Sequence, residues 1–469
     1  MRRVHDFIPS ISPILSLLAF AIAAITFQSC DVIKPARQDR HSKVHRPKKR
    51  PPKPIQRKNV RVITPKYELK KDSPVITDHL APDPGYPYKT TYKSKYRIAV
   101  LLPFRAAQIL RENRANSQPY ISPSSARFIH FWLGAKLAVR DLQRMGKPLE
   151  VHAFDTKFDE AYLPELWERI RQLHPDAIIG PYKRNSLRYL SQKARQQRIL
   201  LLSPWIASAR MTQSNPFYVQ LRPHLDFQYE TVLRHMLQEC DTNRTAIFIL
   251  EDDINKQKHF KKLINNLTKG KEPHPIKIVL LNRDTVLHGV SLLGDKEELI
   301  EWFGDTARCL FFPYTLAKDQ LLVFSFLQKL SLLPNSKAHT IYGMYRWLDY
   351  NDEVRDLLNV HHVRIPVFRL VDPFDEHVRT FRQRFVQEYG IMPLPDAYEG
   401  YDIMRFVGLS LHQHGTFPQL QWMQDKRYQG IGQTFRIHPI YTNNDPKVDF
   451  FENQHLEFVE LHDHQFVRQ

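Results

Sequence analysis

Short, continuous apolar runs alternate with stretches of helical spacing from Tyr96 to Tyr342, and this rhythm constrains the fold more than any other feature of the chain. The first run, Ile98-Ala99-Val100-Leu101-Leu102, ends at Pro103-Phe104, the pattern of a strand buried on both faces. A polar loop follows. Then Phe128, Phe131, Trp132, Ala135, Leu137, Ala138 and Leu142 fall at helical spacing between Ala126 and Met145. Strands are expected next at Leu149–Phe154, Asp176–Ile179, Ile199–Leu202 and Phe217–Leu221, with helices at Tyr162–Leu173 and Leu187–Gln196. The rhythm resumes with helices at Phe227–Leu237, Asn255–Leu267, Lys296–Phe303 and Lys318–Leu330. Between them lie strands at Thr245–Leu250, Ile276–Leu281, Cys309–Phe312 and His339–Tyr342. Strands alternating with helices of ~10–15 residues predict parallel sheets in doubly wound α/β units. Two successive sets predict two Rossmann-like lobes.

Several landmarks within this rhythm resemble the type I periplasmic binding proteins, the fold of branched-chain amino-acid receptors. They are Ile98-Ala99-Val100-Leu101-Leu102-Pro103, Gly134-Ala135-Lys136-Leu137-Ala138, Phe154-Asp155-Thr156, Ile178-Ile179-Gly180-Pro181 and Leu202-Ser203-Pro204. Pro395-Asp396-Ala397-Tyr398-Glu399-Gly400-Tyr401-Asp402 and Tyr428-Gln429-Gly430-Ile431-Gly432, followed by Phe435, continue the series. The resemblance covers about 96–469. It implies parallel sheets in two discontinuous lobes joined by a three-strand hinge. One lobe would combine about 96–221 with 372–426, the other about 222–371 with 427–469. A ligand would then lie outside the carboxyl ends of the strands, in the cleft between lobes.

Receptors of this family hold an amino acid through hydroxyls and backbone groups in the loops after Gly-Pro and Ser-Pro. Here the first loop reads Tyr182-Lys183-Arg184-Asn185-Ser186, with two cations where hydroxyl residues are usual. The second follows Ser203-Pro204 with Trp205-Ile206-Ala207-Ser208, a bulky ring and an alanine in place of small and hydroxyl residues. The candidate ligand residues are therefore Tyr182, Lys183, Arg184, Ser203, Trp205 and Ser208, joined by Phe104 with Arg105 and by Tyr345 with Arg346 at other strand ends. Lys183 and Arg184 suit an anionic group, and Tyr182 and Trp205 suit an apolar or sugar-like face. The bland alternative makes the two cations the start of a surface helix and Trp205 a plug. Glu251-Asp252-Asp253 reads as a strand-end turn or helix N-terminus.

No cofactor is expected. The chain has no G-x-S-x-G, P-loop, H-E-x-x-H, or G-x-G-x-x-G after a strand, so a non-catalytic protein is the reading. His361-His362 and His462-Asp463-His464 each lack a second partner at ligand spacing, and no C-x-x-C occurs, so no metal is expected. Cys240 and Cys309 are expected as separate, buried, reduced cysteines; pairing in an oxidising compartment is the other option.

The N-terminus bears on location. Arg2 and Arg3 precede an apolar run to Phe27, and Ser29-Cys30 closes it, as in a secretory signal. It resembles a bacterial lipoprotein signal, in which Cys30 is acylated and becomes the new N-terminus. The alternative is an uncleaved anchor, although Ile14–Phe27 is shorter than the ~20 residues of a spanning helix. Residues 31–95 hold ten prolines and a net charge of +12, against +19 for all 469 residues. Such a segment is expected to be an extended, disordered tether, ~200 Å long as polyproline or ~45 Å as a flexible coil. It is a passive spacer, or it touches acidic envelope polymer or anionic lipid headgroups. No aromatic residue interleaves with the basic ones before Tyr67, so nucleic acid is not an expected partner. Two functions follow. One is a lipid-anchored solute-binding protein of the bacterial envelope, outer membrane expected, with its folded module in the periplasm. The other is an interaction protein resembling the activators of penicillin-binding proteins, whose partner would be a peptidoglycan synthase.

Overall fold

The apolar runs become parallel strands, and side-by-side pairing with cover on both faces explains why they carry so few polar residues. The computed structural model describes residues 90–468 apart from 116–119, 209–210, 241–244, 251–253, 268–276, 282–307, 314–319, 332–338, 423–426, 442–446 and 463–464. The signal segment with Cys30, the tether as far as residue 89, the acidic cluster Glu251-Asp252-Asp253 and the helix expected at 296–303 lie outside the described residues.

In the first half of the chain β1 (Tyr96–Leu102), β2 (Leu149–Asp155), β3 (Ala177–Ile179), β4 (Leu200–Ser203) and β5 (Tyr218–Gln220) pair in parallel. The helices between them are α1 (Ala106–Ala115), α2 (Pro123–Arg144), α3 (Leu163–Gln172) and α4 (Arg184–Gln197). Sequence periodicity leaves α1 as loop. Its helix is set by a tertiary contact: the Asp155 carboxylate at the end of β2 accepts the N–H groups of Arg105 and Ala106 at 3.1 and 2.8 Å. Those are donors that a helix start leaves unsatisfied, and negative charge is favoured beside them.

The second half repeats the plan. β6 (Thr245–Leu250), β7 (Lys277–Leu281), β8 (Cys309–Phe311), β9 (Thr340–Tyr342) and β10 (Arg364–Val367) form a parallel sheet. Among its helices are α5 (Leu225–Glu239), α6 (Ile254–Leu267), α7 (Gln320–Ser331) and α8 (Asp352–Val360). Its core closes around Tyr229, Phe260, Phe311, Phe326 and Trp347.

The chain then returns to the first sheet through α9 (Glu376–Tyr389), α10 (Pro395–His414) and α11 (Gln419–Trp422). Next come β11 (Arg427–Gln429), β12 (Thr434–Ile440) and β13 (Phe450–Asn453), and here one expectation is corrected. The segment 427–453, assigned above with the second lobe, hydrogen-bonds into the first sheet, where β13 runs parallel to β5 with Phe451 opposite Val219. The apolar side chains Phe435, Ile437 and Phe451 fill the first core, and that burial decides the partner. Among the described residues after 453, β14 (Glu457–His462) and β15 (Gln465–Arg468) join the second sheet, as an antiparallel hairpin on β10. The sheet orders are β11-β12-β13-β5-β4-β3-β1-β2 and β15-β14-β10-β9-β8-β6-β7.

Helix α10 is the buried axis of the first lobe and crosses α2 with almost no space between backbones. A Cβ on Gly134 would overlap the Ala397 carbonyl, and one on Gly400 would overlap the Phe131 carbonyl. Polar ties fix the pair: Tyr401 donates to Asp141 at 2.8 Å, and Arg384 from α9 reaches the same carboxylate at 2.6 Å. Further along α10, the fully buried Asp402 accepts the backbone N–H groups of Ile431, Gly432 and Gln433 at 2.8, 2.8 and 2.9 Å. The two late sequence landmarks therefore meet, one as helix and the other as the loop it holds.

Cys240 and Cys309 form a disulfide, which corrects the expectation of two reduced cysteines. Parallel pairing sets Cys309 beside Thr245, and Cys240 ends α5 just before that strand, so the two Cα atoms stand 6.4 Å apart. That separation is ordinary for a disulfide.

Candidate functional site

Three chain crossings join the sheets: 221–224 after β5, 368–375 after β10 and 454–456 after β13. They are stitched together. Leu370 donates to the Gly432 carbonyl at 2.8 Å, and Asn453 Nδ2 donates to the Leu221 carbonyl at 3.3 Å. The carboxyl ends of both parallel sheets point toward these crossings, the position in which open α/β sheets bind ligands.

On the first sheet's edge the fold brings Tyr182 and Trp205 together, with ring centroids 5.8 Å apart. Both rest edge-on against Phe128 of α2. Trp205 Nε1 also donates to Glu399 on α10 at 3.4 Å. Tyr345, on the second sheet's edge, lies 4.4 Å from Phe368 on the second crossing. Between the edges stand two arginines that sequence reading missed, Arg222 on the first crossing and Arg369 on the second. Arg369 pairs with Glu399 at 2.8 Å, and Arg127 pairs with Asp396 at 2.9 Å. Trp205, Glu399, Arg369, Tyr345 and Arg222 thus form one continuous cluster from edge to edge.

Other expected site residues are used elsewhere. Lys183 Nζ donates to the Phe158 carbonyl at 2.6 Å and lies over the Phe158 ring, so its charge is committed to the loop after β2. Arg184 is exposed at the start of α4. The two cations therefore do not converge on the cluster, because the helix begins at Arg184 and turns them apart. Ser203 is fully buried beside Tyr218, and Phe104 is buried in the first core. Ser208 is half-buried, and its backbone N–H donates to Gln220 at 3.3 Å.

The electrostatics of the cluster are uneven. Burial disfavours the charged form of Arg222, and the neighbouring Arg369 and Arg346 add to that, against the pull of Tyr345 and Glu399; the net shift is downward. Arginine stays protonated regardless. The Arg222 guanidinium lies 4.7 Å from the Phe368 ring and 5.7 Å from Tyr345, while its buried Nε has no hydrogen-bond partner. Burial also pushes the Glu399 carboxyl above its usual range, opposed by Arg369. Arg369 and Arg127 are each in a salt bridge with a carboxylate, whereas Arg222 lies on ring faces and feels the Glu399 charge without a salt bridge to it. A half-buried cation so placed is stabilised when an anion completes it.

The first crossing carries a pH-sensitive contact. His224 Nδ1 lies 2.6 Å from Glu452 of β13, and the same carboxylate accepts from Gln220 at 2.7 Å. Burial disfavours the charged ring. The Glu452 hydrogen bond and the charges of Glu452, Asp226 and Glu230 outweigh it, and the net shift is upward. A raised imidazole stabilises the fold fully below its unfolded value of ~6.5, and that stability is lost as pH rises through the folded value. Thermal melting from pH 6 to 9 should therefore show a decline that His224→Ala flattens; an identical slope in both proteins would refute it.

No family model and no curated protein matches the chain by sequence. Its structure is similar to that of a putative branched-chain amino acid ABC transporter protein from Rhodospirillum rubrum, at 14 % identity and a TM-score of 0.58, covering 80 % of this chain and 100 % of that one. It is also similar to a branched-chain amino acid ABC transporter periplasmic ligand-binding protein from Burkholderia xenovorans, at 13 % identity and a TM-score of 0.52, covering 80 % and 94 %. The two crossed-over sheets, the facing carboxyl edges and these likenesses together show that the chain has the type I periplasmic binding protein fold.

Proposed function

We propose that this chain is a non-catalytic solute-binding lipoprotein of the bacterial envelope whose lobes close on a small anionic ligand. One lobe comprises about 96–221 and 372–453, the other about 222–371 and 454–469, with the crossings as hinge. Cys30 anchors it, and the basic tether holds the lobes away from the membrane. Two observations support an extracytoplasmic site: the Cys240–Cys309 disulfide, since disulfides persist in oxidising compartments, and the periplasmic setting named for the similar Burkholderia protein. Among the described residues no helix is long and apolar enough to cross a membrane.

The observation that carries the ligand class is Arg222, a half-buried arginine at the hinge whose buried Nε has no hydrogen-bond partner. A carboxylate or phosphate suits its planar fork. Trp205, Tyr182 and Tyr345 offer ring faces to the rest of the molecule.

The test is thermal-shift screening of the full chain in detergent against amino acids, dicarboxylates, sugar phosphates, nucleotides and muropeptides. A ligand at 100-fold its Kd adds about 2.7 kcal/mol. Arg222→Ala should then weaken binding by about 10- to 100-fold, the range for losing a charged hydrogen bond. If no anion shifts the melt and the chain instead captures a peptidoglycan synthase, the solute-binding reading falls.

A further inference from the structure

His362 and His462 lie far apart in the sequence, and neither segment by itself brings two histidines to one metal. The fold supplies one. β10 and β14 pair antiparallel with Arg364 opposite Glu460, and that register carried outward sets His362 opposite His462. Glu460, two residues before His462, shares its face of β14. The imidazole rings are 4.1 Å apart between centroids. His462 Nε2 is 2.5 Å and His362 Nδ1 is 3.6 Å from the same oxygen, Glu460 Oε1. One donor atom from each of the three residues lies within 4.8 Å of the others.

From this geometry we infer that His362, Glu460 and His462 form a binding site for a divalent transition metal, zinc by preference. Two imidazoles and a carboxylate are a donor set that suits zinc, with nitrogen at ~2.0–2.1 Å and a fourth position left for water. Tetrahedral ligands at that length stand ~3.3 Å apart, so small rotations of two surface side chains assemble the site. The carboxylate is already oriented. Its other oxygen, Oε2, accepts from Arg364 Nε at 3.2 Å, and Arg364 is itself held by Glu239 and Tyr342. Such outer contacts orient metal ligands and tune their affinity. They also supply charge balance, since Glu239 offsets Arg364 and leaves Glu460 to face the metal. Glu460 is 9 % exposed while the histidines are 47 % and 41 % exposed, which gives the metal a firm base and an open approach. Bound metal would fasten the C-terminal hairpin to the turn before β10. Binding requires neutral imidazoles and releases any protons they carry.

The test uses the full chain without a histidine tag, stripped with chelator and titrated with Zn²⁺ by calorimetry. One binding event is expected, lost in His362→Ala and in His462→Ala, weakened in Glu460→Gln and unchanged in His377→Ala, an exposed histidine elsewhere. Co²⁺ should give the visible bands of a four-coordinate site. Both histidine variants should melt with the stripped wild type, and they decide the matter even if Glu460→Gln does not fold. The assignment is overturned if the stripped chain takes up no Zn²⁺, or if the event survives in the double histidine variant. Solute binding at the hinge is read in a separate assay, so either inference can fail alone.

Discussion

Gly134→Ala should destabilise the first lobe by about 3 kcal/mol or more, the upper end for overpacking a core. The added methyl meets a backbone atom, the Ala397 carbonyl, which cannot rotate away. Relief would require α2 and α10 to separate, and most of α10 is buried. Gly400→Ala should behave alike through the Phe131 carbonyl. Gly408 is the internal control: a Cβ there meets only methyl groups of Leu142 and Leu149, which can change rotamer, so its alanine variant should cost less. Urea titration of the three variants reads the difference. Loss of under about 0.5 kcal/mol at Gly134, the usual size for an unconstrained surface site, would mean that the helices do not cross here.

Removing the Cys240–Cys309 disulfide should cost about 4 kcal/mol in the chain-entropy account, because it closes a long loop. The bridged cysteines are 69 residues apart, and the loop contains β6 and β7. The loss should fall on the second lobe. Cys240→Ala with Cys309→Ala, or reductant added to the wild type, should lower its melting transition. The first lobe, built on its own sheet, should be affected less. Thiol titration in denaturant gives an independent reading. Two reactive thiols from this pair in freshly purified protein, with melting indifferent to reductant, would rule the bridge out.

The α/β class was legible because buried parallel strands need continuous apolar runs, and those runs are local. What could not be read locally depends on register. Helix α1 needed Asp155 from another strand as its cap. The disulfide needed β8 to pair with β6, and the histidine–glutamate cluster needed β14 to lie antiparallel on β10. The candidate site divides in the same way. Tyr182, Trp205 and Tyr345 follow strand ends and could be found by rule. Arg222 and Arg369 sit on crossings, whose side chains meet only after both sheets exist. Lys183 and Arg184 misled because adjacent cations in sequence point apart where a helix begins. Glu399 lies within the landmark Pro395–Asp402, but a carboxylate on a buried helix gives no sign of its arginine.

The return of β13 to the side of β5 has a consequence for biosynthesis. A ribosome makes the strands β1 to β5 early, yet that sheet stays open along β5 until Phe451 and Glu452 arrive to pair with Val219 and Gln220. The axial helix α10 is also made late, long after its partner α2. Contacts this distant in sequence slow folding, because the loop between them must close first. The second sheet's β6 to β10 are by contrast synthesised as one uninterrupted block. The lobe begun first is therefore closed only after the parallel strands of the second have been made, and a chain stopped short of residue 450 would carry an uncovered β5 edge open to pairing with other chains.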